Sequence, residues 1–505
     1  MDFNLFGLIR SRIADPNADF LIEPDGTRLS YGDMLERSGR LANLFVRLGV
    51  RPGDRIAIQA EKSVWALLVY LATLRAGAVH LPLNPAYTPA EVRYFLQDAE
   101  PALFICRPEQ EAEMRALARE LGVPQVETLG PDRGSLVAAA LDEAAEFGDV
   151  ARTQDDLAAI LYTSGTTGRS KGAMLTHRNL ASNAETLREA WRFTAADRLL
   201  HALPIFHTHG LFVATNITLL AGGSMLFLPG FDLDAILRLL PEATAMMGVP
   251  TYYTRLLSRR DFTRELVRHM RLFVSGSAPL SAETHREFEA RTGHKILERY
   301  GMTETNMIAS NPYDGPRVPG SVGPALPGVA VRIAEPATGA PLPRGEVGVI
   351  EARGPNVFKG YWRMPEKTAE EFRPDGFFIT GDMGCMDEGG YVRIVGRAKD
   401  VVISGGLNVY PAEVEAAIEE LPGVAECAVI GVPHPDFGEG VVAVVTARAG
   451  EAAPDEAAVR AALRDRLASF KQPKRVFLVE ALPRNAMGKV QKNVLRETYA
   501  GTFTV

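Results

Sequence analysis

Short apolar runs alternate with helical patterns along the first three hundred residues, and that alternation limits the fold more than any other feature. Tyr31 to Leu48 carries apolar residues near helical spacing, and Arg55-Ile56-Ala57-Ile58 reads as a strand. Ala66 to Ala76 reads as a nearly all-apolar helix, followed by the strand-like Ala78 to Leu83. Alternation of this kind predicts a doubly wound α/β sheet. It resumes with strand-like runs at Leu157 to Tyr162, Arg198 to Leu203 and Ala245 to Val249, with Ala235 to Leu240 helical. Leu272-Phe273-Val274 then leads into the small-residue turn Ser275-Gly276-Ser277-Ala278-Pro279. From about Gly320 to Gly396 helical periodicity fades, and short Val/Ile-rich runs between Gly and Pro predict a small twisted β element. Beyond Arg397 the α/β texture returns, with helices over Pro411 to Leu421 and Glu456 to Leu467 and strands over Val424 to Gly431 and Val441 to Ala447. The expected division is a large domain, residues 1–396 with the β element at about 320–396, and a smaller α+β domain, 397–505. Gly134 to Arg152 reads as a solvated helix.

A chain of 505 residues exceeds one small core. Its net charge of −7 argues against a broad nucleic-acid-binding face, though a local basic cluster could still bind a small anion. Cys106, Cys385 and Cys427 are widely scattered, with neither metal-ligand spacing nor a disulfide framework, which suits a reducing compartment. The N-terminus carries an acid where a signal peptide would carry bases. The most apolar stretch, Leu211 to Pro229, is interrupted by Thr215, Asn216, Thr218, Gly222, Gly223 and Ser224 and cannot span a bilayer as one helix. A cytoplasmic location, with no nucleic-acid or membrane partner, is expected.

Chemistry concentrates in five clusters. Between Thr163 and Gly172 lie five hydroxyl side chains, three glycines and Lys171. Glycines free backbone N–H groups to face a ligand, hydroxyls donate hydrogen bonds and the lysine adds charge, a combination that suits a polyphosphate. It is not a P-loop, because the Gly-x-x-x-x-Gly-Lys-Ser/Thr spacing cannot be laid on it; a Ser/Gly-rich turn between strand and helix is the plain alternative. Pro204 to Gly210 holds His207 and His209, compatible with metal ligation but lacking an acidic or cysteine partner nearby. Glu298-Arg299-Tyr300-Gly301-Met302-Thr303-Glu304 offers an aromatic for stacking, a hydroxyl and a Mg²⁺-binding carboxylate, or an ordinary strand-to-turn junction. Asp382, followed by Gly396-Arg397-Ala398-Lys399-Asp400, could accept from both hydroxyls of a ribose or be a solvated turn. Pro483 to Lys489 reads as an exposed loop bearing a lysine.

Together, in this order and over the whole length, these clusters resemble the acyl-adenylate-forming superfamily of acyl-CoA synthetases, aryl-CoA ligases, luciferases and adenylation domains. The resemblance implies ATP, Mg²⁺ and coenzyme A as ligands and a mobile C-terminal domain that swings about Lys399 between two half-reactions. It implies that Thr163, Ser164, Gly165, Thr166, Thr167, Gly168 and Lys171 wrap the phosphates, that Glu304 holds Mg²⁺ and that Thr303 contacts the α-phosphate. Tyr300 would stack on adenine, with Gly276, Ser277 and Ala278 along its edge and Glu298 and Gly301 nearby. Asp382 would take the ribose hydroxyls and Arg397 the ribose or phosphate, and Lys489 would bridge the attacking carboxylate and the α-phosphate. Ser404, Gly405 and Gly406 would lie against the pantetheine arm of CoA, and His207 would gate the thiol tunnel.

The residue before the Tyr-Gly-Met-Thr-Glu run is usually small in family members that take long-chain or aryl acids; here it is Arg299. A guanidinium in that pocket needs a partner. A second carboxylate on the substrate would supply one, and pairing with Glu298 or another acid is the alternative. The wording of Phe206 to Gly210, Leu297 to Tyr300 and Pro483 to Lys489 is most similar to malonyl-CoA synthetases. That likeness implies an AMP-forming acid–thiol ligase acting on malonate or methylmalonate. Arg286 is a second candidate for the distal carboxylate, and Thr208, Ser277 and Met307 are expected pocket walls. Another short-chain or aryl acyl-CoA synthetase and an adenylation module loading a carrier protein stay open. A corollary expectation is that acylating Lys489, which removes its charge, would switch the enzyme off.

Overall fold

The computed structural model describes residues 3–131, 133–163, 170–405, 407–464, 466–485 and 488–503. Two large sheets form the N-terminal part. The first has eight strands, in the order Asn306–Ser310, Leu297–Met302, Leu272–Ser275, Ala245–Gly248, Arg198–His201, Ser224–Phe227, Asp19–Ile22 and Arg28–Ser30. Its inner strands run parallel, and only the two edge pairs are antiparallel. The second has seven: Gly360–Tyr361, Lys171–Thr176, Leu157–Thr163, Val79–Pro82, Arg55–Ile58, Leu103–Cys106 and Gln125–Thr128. From Leu157–Thr163 outward to Gln125–Thr128 these pair in parallel.

Strands Val79–Pro82 and Leu103–Cys106 are buried at every position, as apolar runs in a sheet covered on both faces must be. The cover includes helix Val64–Arg75, buried everywhere except Trp65, and helix Tyr31–Arg47, which starts at a Ser30/Asp33 capping box. The apolar stretch after 208 becomes a π-helical turn, His209–Thr215, then helix Asn216–Ala221 and strand Ser224–Phe227. Gly210 is needed there, since a Cβ would meet the Pro204 carbonyl oxygen at 2.0 Å. Among the described residues no helix is long and apolar enough to cross a membrane.

The segment 134–152 is helical only over Ser135–Leu141. Downstream, its carbonyls serve side chains of the neighbouring helices: Asn43 Nδ2 donates to Ala144 and Glu146, and Arg75 Nη2 to Phe147. Carbonyls used in this way are not available for a helical ladder. Arg75, 2% exposed, also donates to Leu35 O at 2.6 Å, Ser38 Oγ at 2.9 Å and Asp149 Oδ1 at 2.7 Å. It is a buried guanidinium with every edge paired. Arg75→Ala is expected to cost about 2–4 kcal/mol, the lost bonds and cavity being moderated because Arg10 remains on Asp149. An unchanged urea-unfolding midpoint would contradict that arrangement.

Strands Ala330–Ala334, Gly348–Arg353, Phe378–Met386 and Val392–Arg397 form a four-stranded antiparallel sheet where the sequence turns Val- and Gly-rich. The smaller C-terminal domain is built on a five-stranded sheet with its own apolar core, including Val402, Val414, Val429, Val441 and Leu463. Two ion pairs join it to helix Ala282–Thr292 of the N-terminal part: Arg448 to Glu283 at 2.7 Å and Arg286 to Glu420 at 3.5 Å.

Candidate active site

The carboxyl ends of strands Leu157–Thr163 and Leu297–Met302, one from each large sheet, meet where Thr163 contacts Glu304, and carboxyl strand ends are where such sheets bind ligands. Strand Leu157–Thr163 turns back antiparallel onto Lys171–Thr176, with Thr163 opposite Lys171. The hydroxyl- and glycine-rich run is therefore followed by a returning strand, not by a helix. Ser164, Gly165, Thr166, Thr167 and Gly168 lie outside the described residues.

Thr163, on one flank of that run, reaches Glu304, which sits in the tight turn between Leu297–Met302 and Asn306–Ser310; Lys171, on the other flank, reaches Tyr361 and Glu371. Thr163 Oγ1 donates to Glu304 Oε1 at 3.4 Å. The Tyr361 hydroxyl lies 3.1 Å from Glu304 and 2.8 Å from Glu371, and its single proton can serve only one of them at a time. Lys171 Nζ pairs with Glu371 at 2.9 Å and rests 4.0 Å from the centre of the Tyr361 ring. Burial pushes the Glu304 carboxyl upward, so its ionised form lacks a full counter-charge. Among the described residues no group of three or more metal-ligating side chains occurs. A lone carboxylate fits Mg²⁺, which is commonly held by one or two protein oxygens with the remainder supplied by phosphates and water.

Next along the same edge, Tyr300 donates to Asp382 Oδ2 at 2.5 Å, and Arg397 Nε contacts Asp382 Oδ1 at 2.7 Å. Asp382 and Arg397 are register partners on adjacent strands of the small sheet, so this pair is set by backbone pairing. Gly301 allows the sharp hairpin that follows; a Cβ would stand 1.9 Å from the Asn306 carbonyl oxygen. Lys489 enters from the C-terminal domain. Its side chain is exposed. Its pKa is lowered by desolvation and by Arg397, against the opposing pull of Asp382 and Glu304, with Arg299 lowering it further.

Arg299 is the opposite of Arg75. It is 4% exposed, and its Nε and Nη2 have no hydrogen-bond partner among the described residues. Burial pulls its pKa down to about 9, which still leaves it charged at neutral pH. The guanidinium lies flat on Gly276, where a Cβ would stand 2.3 Å from Cζ. Ser277 follows with φ +72°, a left-handed conformation that is rare for a residue with a side chain. Its Oγ is 3.2 Å from His209 Nδ1. His207 is held neutral, its pKa down at about 3, by burial and then by Lys489 and Arg299. Thr208 is buried with its hydroxyl unpaired among the described residues, and Met307 is buried with its backbone N–H on Asn183 Oδ1 at 3.2 Å.

Two expected site residues point elsewhere. Arg286 stands at the surface of helix Ala282–Thr292 and pairs with Glu420. Glu298 is buried against His285 Nδ1 at 3.2 Å and the Gly320 N–H at 3.4 Å, so it does not reach Arg299. Thr303 and Ala278 flank the cleft half-buried. Lys399 is exposed in the single turn Ala398–Asp400; Ser404 ends strand Val402–Ser404, paired with Leu407, and Gly405 begins the turn after it, with Gly406 outside the described residues. Sequence reasoning missed Tyr361, Glu371 and the His209–Ser277 contact. The first two lie far from Glu304 in sequence and carry no motif.

Comparison with known proteins agrees with this geometry. The AMP-binding enzyme model matches residues 11–362, and the AMP-binding enzyme C-terminal domain model matches residues 413–489. A malonate–CoA ligase from Arabidopsis thaliana is 36% identical, covering 94% of this chain and 86% of the relative. A feruloyl-CoA synthase from Amycolatopsis sp is 38% identical, covering 94% of each. ATP-bound MatB from Rhodopseudomonas palustris is 60% identical over all of both chains with a TM-score of 0.98; its apo structure gives 0.87. With a nucleotide-shaped edge in place and matches that span most of its length, the chain belongs to the AMP-binding enzyme family.

Proposed function

We propose that this chain is an ATP-dependent malonate–CoA ligase that also accepts methylmalonate. One observation carries the choice of acid: Arg299 in the acyl region is buried, charged and without a partner among the described residues. A buried charge is tolerated when a partner completes it, and a second carboxylate does so with a planar fork of two hydrogen bonds. The 36% and 60% identical relatives named for malonate ligation and MatB support the same reading. A feruloyl-type acid would leave the guanidinium unpaired.

In the first half-reaction a malonate oxygen attacks the α-phosphorus of ATP, and the bond to pyrophosphate breaks. Thr163, Lys171 and the run between them would receive the phosphates. Glu304 would hold Mg²⁺, which neutralises phosphate charge when bound, while Thr303 contacts the α-phosphate. Tyr300 offers an aromatic face for adenine along Gly276, Ser277 and Ala278, and Asp382 with Arg397 suits the ribose. Lys489 would lie between the two anions that must meet. In the second half-reaction the thiol sulfur of CoA attacks the acyl carbon, AMP departs and the thiol proton is lost; neutral His207 would flank that path.

The second step requires Lys489 to leave, and a swing of residues 397–505 about Lys399 would bring Ser404, Gly405 and Gly406 to the thiol path. Ile403, Leu407 and Phe437 support this. They lie near Gly405 and expose 54%, 49% and 41% of their surface, apolar area that a second docked position would cover. Acylation of Lys489 would remove the charge that the first step uses.

The test is pyrophosphate release with malonate, methylmalonate, propionate, butyrate and ferulate, each with and without CoA. Malonate and methylmalonate should be used far better than the monocarboxylates, and thioester should form only with CoA. Preference for butyrate or ferulate would overturn the assignment.

A further inference from the structure

Two consecutive residues of the turn after strand Leu272–Ser275 each hold one side chain of the acyl region. Gly276 lies under the Arg299 guanidinium, and Ser277 Oγ touches His209 Nδ1 at 3.2 Å. Both held groups end in buried nitrogens without a partner among the described residues: Nε and Nη2 of Arg299, and Nε2 of His209. The left-handed Ser277 backbone has a local cost, and its side-chain contact with His209 is what the strained conformation secures.

When the Ser277 hydroxyl donates to Nδ1, the ring proton of His209 sits on Nε2. His209 is held neutral by burial, with Arg299 as the next contributor, so it offers one N–H and no net charge. It is also anchored from behind: it opens the π-helical turn, and the next residue's carbonyl, Gly210 O, lies 2.9 Å from both His201 Nε2 and Thr215 Oγ1.

We propose that His209 is a specificity-determining residue, its Nε2–H giving the distal anionic group of the acid a third hydrogen bond beside the Arg299 fork. A carboxylate has about four lone-pair sites, so it can take two bonds from Arg299 and one from His209 without crowding either. The inference rests on the dicarboxylate reading above and adds a second group to it. It assigns a function to a histidine that the catalytic steps do not use.

The experiment compares His209→Asn and His209→Gln with the parent, by pyrophosphate release and thermal melting. Asn keeps an amide near the Nδ1 position for Ser277 and loses the Nε2 donor; Gln can place an amide N–H near Nε2. The acid used is whichever short acid with a second carboxylate or sulfonate the parent turns over best. His209→Asn should raise KM for that acid roughly 10- to 100-fold, with kcat and KM for ATP within about threefold of the parent. Turnover of propionate should stay as poor as before, and His209→Gln should recover most of the lost affinity. An acid KM within twofold of the parent for His209→Asn overturns the proposal while leaving the dicarboxylate reading intact. A parallel rise in the KM values for ATP and propionate, or equal losses in both variants, overturns it in favour of a purely structural histidine. If neither variant folds, the parent's own melting decides: a dianionic acid that gives no more protection than propionate overturns it. A parent that uses no dianionic acid at all removes the underlying reading and the proposal with it.

Discussion

Arg299→Ala should lower kcat/KM for malonate by about 10³-fold or more while leaving KM for ATP nearly unchanged. The size follows from what the site contains. A pocket built to bind a polar group rejects an analogue lacking it by roughly 10⁴–10⁵, because its own buried group is left unpaired. Removing the arginine removes both the bonds and that penalty. Malonate should fall sharply, and the gap between malonate and propionate should narrow from both sides. Arg299→Lys separates charge from shape: it keeps the cation and loses the planar fork, so it should fall between the parent and alanine. ATP binding serves as the control, since Tyr300, Asp382 and Glu304 do not hydrogen-bond to Arg299. Full malonate selectivity in Arg299→Ala would falsify the pocket assignment. Arg286 would not inherit the role, because it already pairs with Glu420 at the surface.

Adjacent residues on one strand explain which parts of this site the sequence revealed. Side chains alternate faces along Leu297–Met302, so Arg299 and its neighbours Glu298 and Tyr300 cannot serve the same pocket. Tyr300 reaches Asp382; each was singled out because it lies in a dense, chemically distinctive run, but nothing in the sequence paired the two. Glu298 shares Tyr300's face, yet its partner is His285, on a helix whose rotation the sequence does not fix. The same helix turns His285 and Phe288 inward and Arg286 outward. Its weakly amphipathic pattern gave no means to choose between those positions. The sheets were easier to foresee, since strands such as Leu103–Cys106 are apolar throughout and demand cover on both faces. The strand pairing at Thr163 and Lys171 was harder: a Ser/Gly-rich run permits either a helix or a returning strand, and long-range pairing with Gly360–Tyr361 completes the choice. Tyr361 and Glu371 arrive at Glu304 through that pairing and have no local signature at all.

Lys489→Ala should abolish most adenylate formation and spare the second half-reaction. Lys489 is the cation that the C-terminal domain brings to the region where Glu304, Asp382, Arg397, Arg299 and His207 converge, and it feels each of them. An attacking carboxylate and a triphosphate repel each other, and a cation held between them acts most strongly as their charges draw together. Loss of one such group typically costs about 10²–10³ in kcat, and the loss here should be at the upper end or beyond, because the charge is also removed. The arrangement also limits when Lys489 can act. It is held over the site while Arg448 pairs with Glu283 and Arg286 with Glu420, contacts that a swing of the C-terminal domain must break. In the thioester step Lys489 should therefore be absent from the site. Supplied with synthetic malonyl-adenylate and CoA, Lys489→Ala should form thioester within a few-fold of the parent's rate, whereas from malonate and ATP it should be nearly silent. Complete acetylation of Lys489 should reproduce the alanine pattern, since it removes the same charge. Equal loss in both half-reactions would mean that Lys489 supports the fold of the cleft or the CoA path instead of the first chemical step, and the two-position scheme would have to be abandoned.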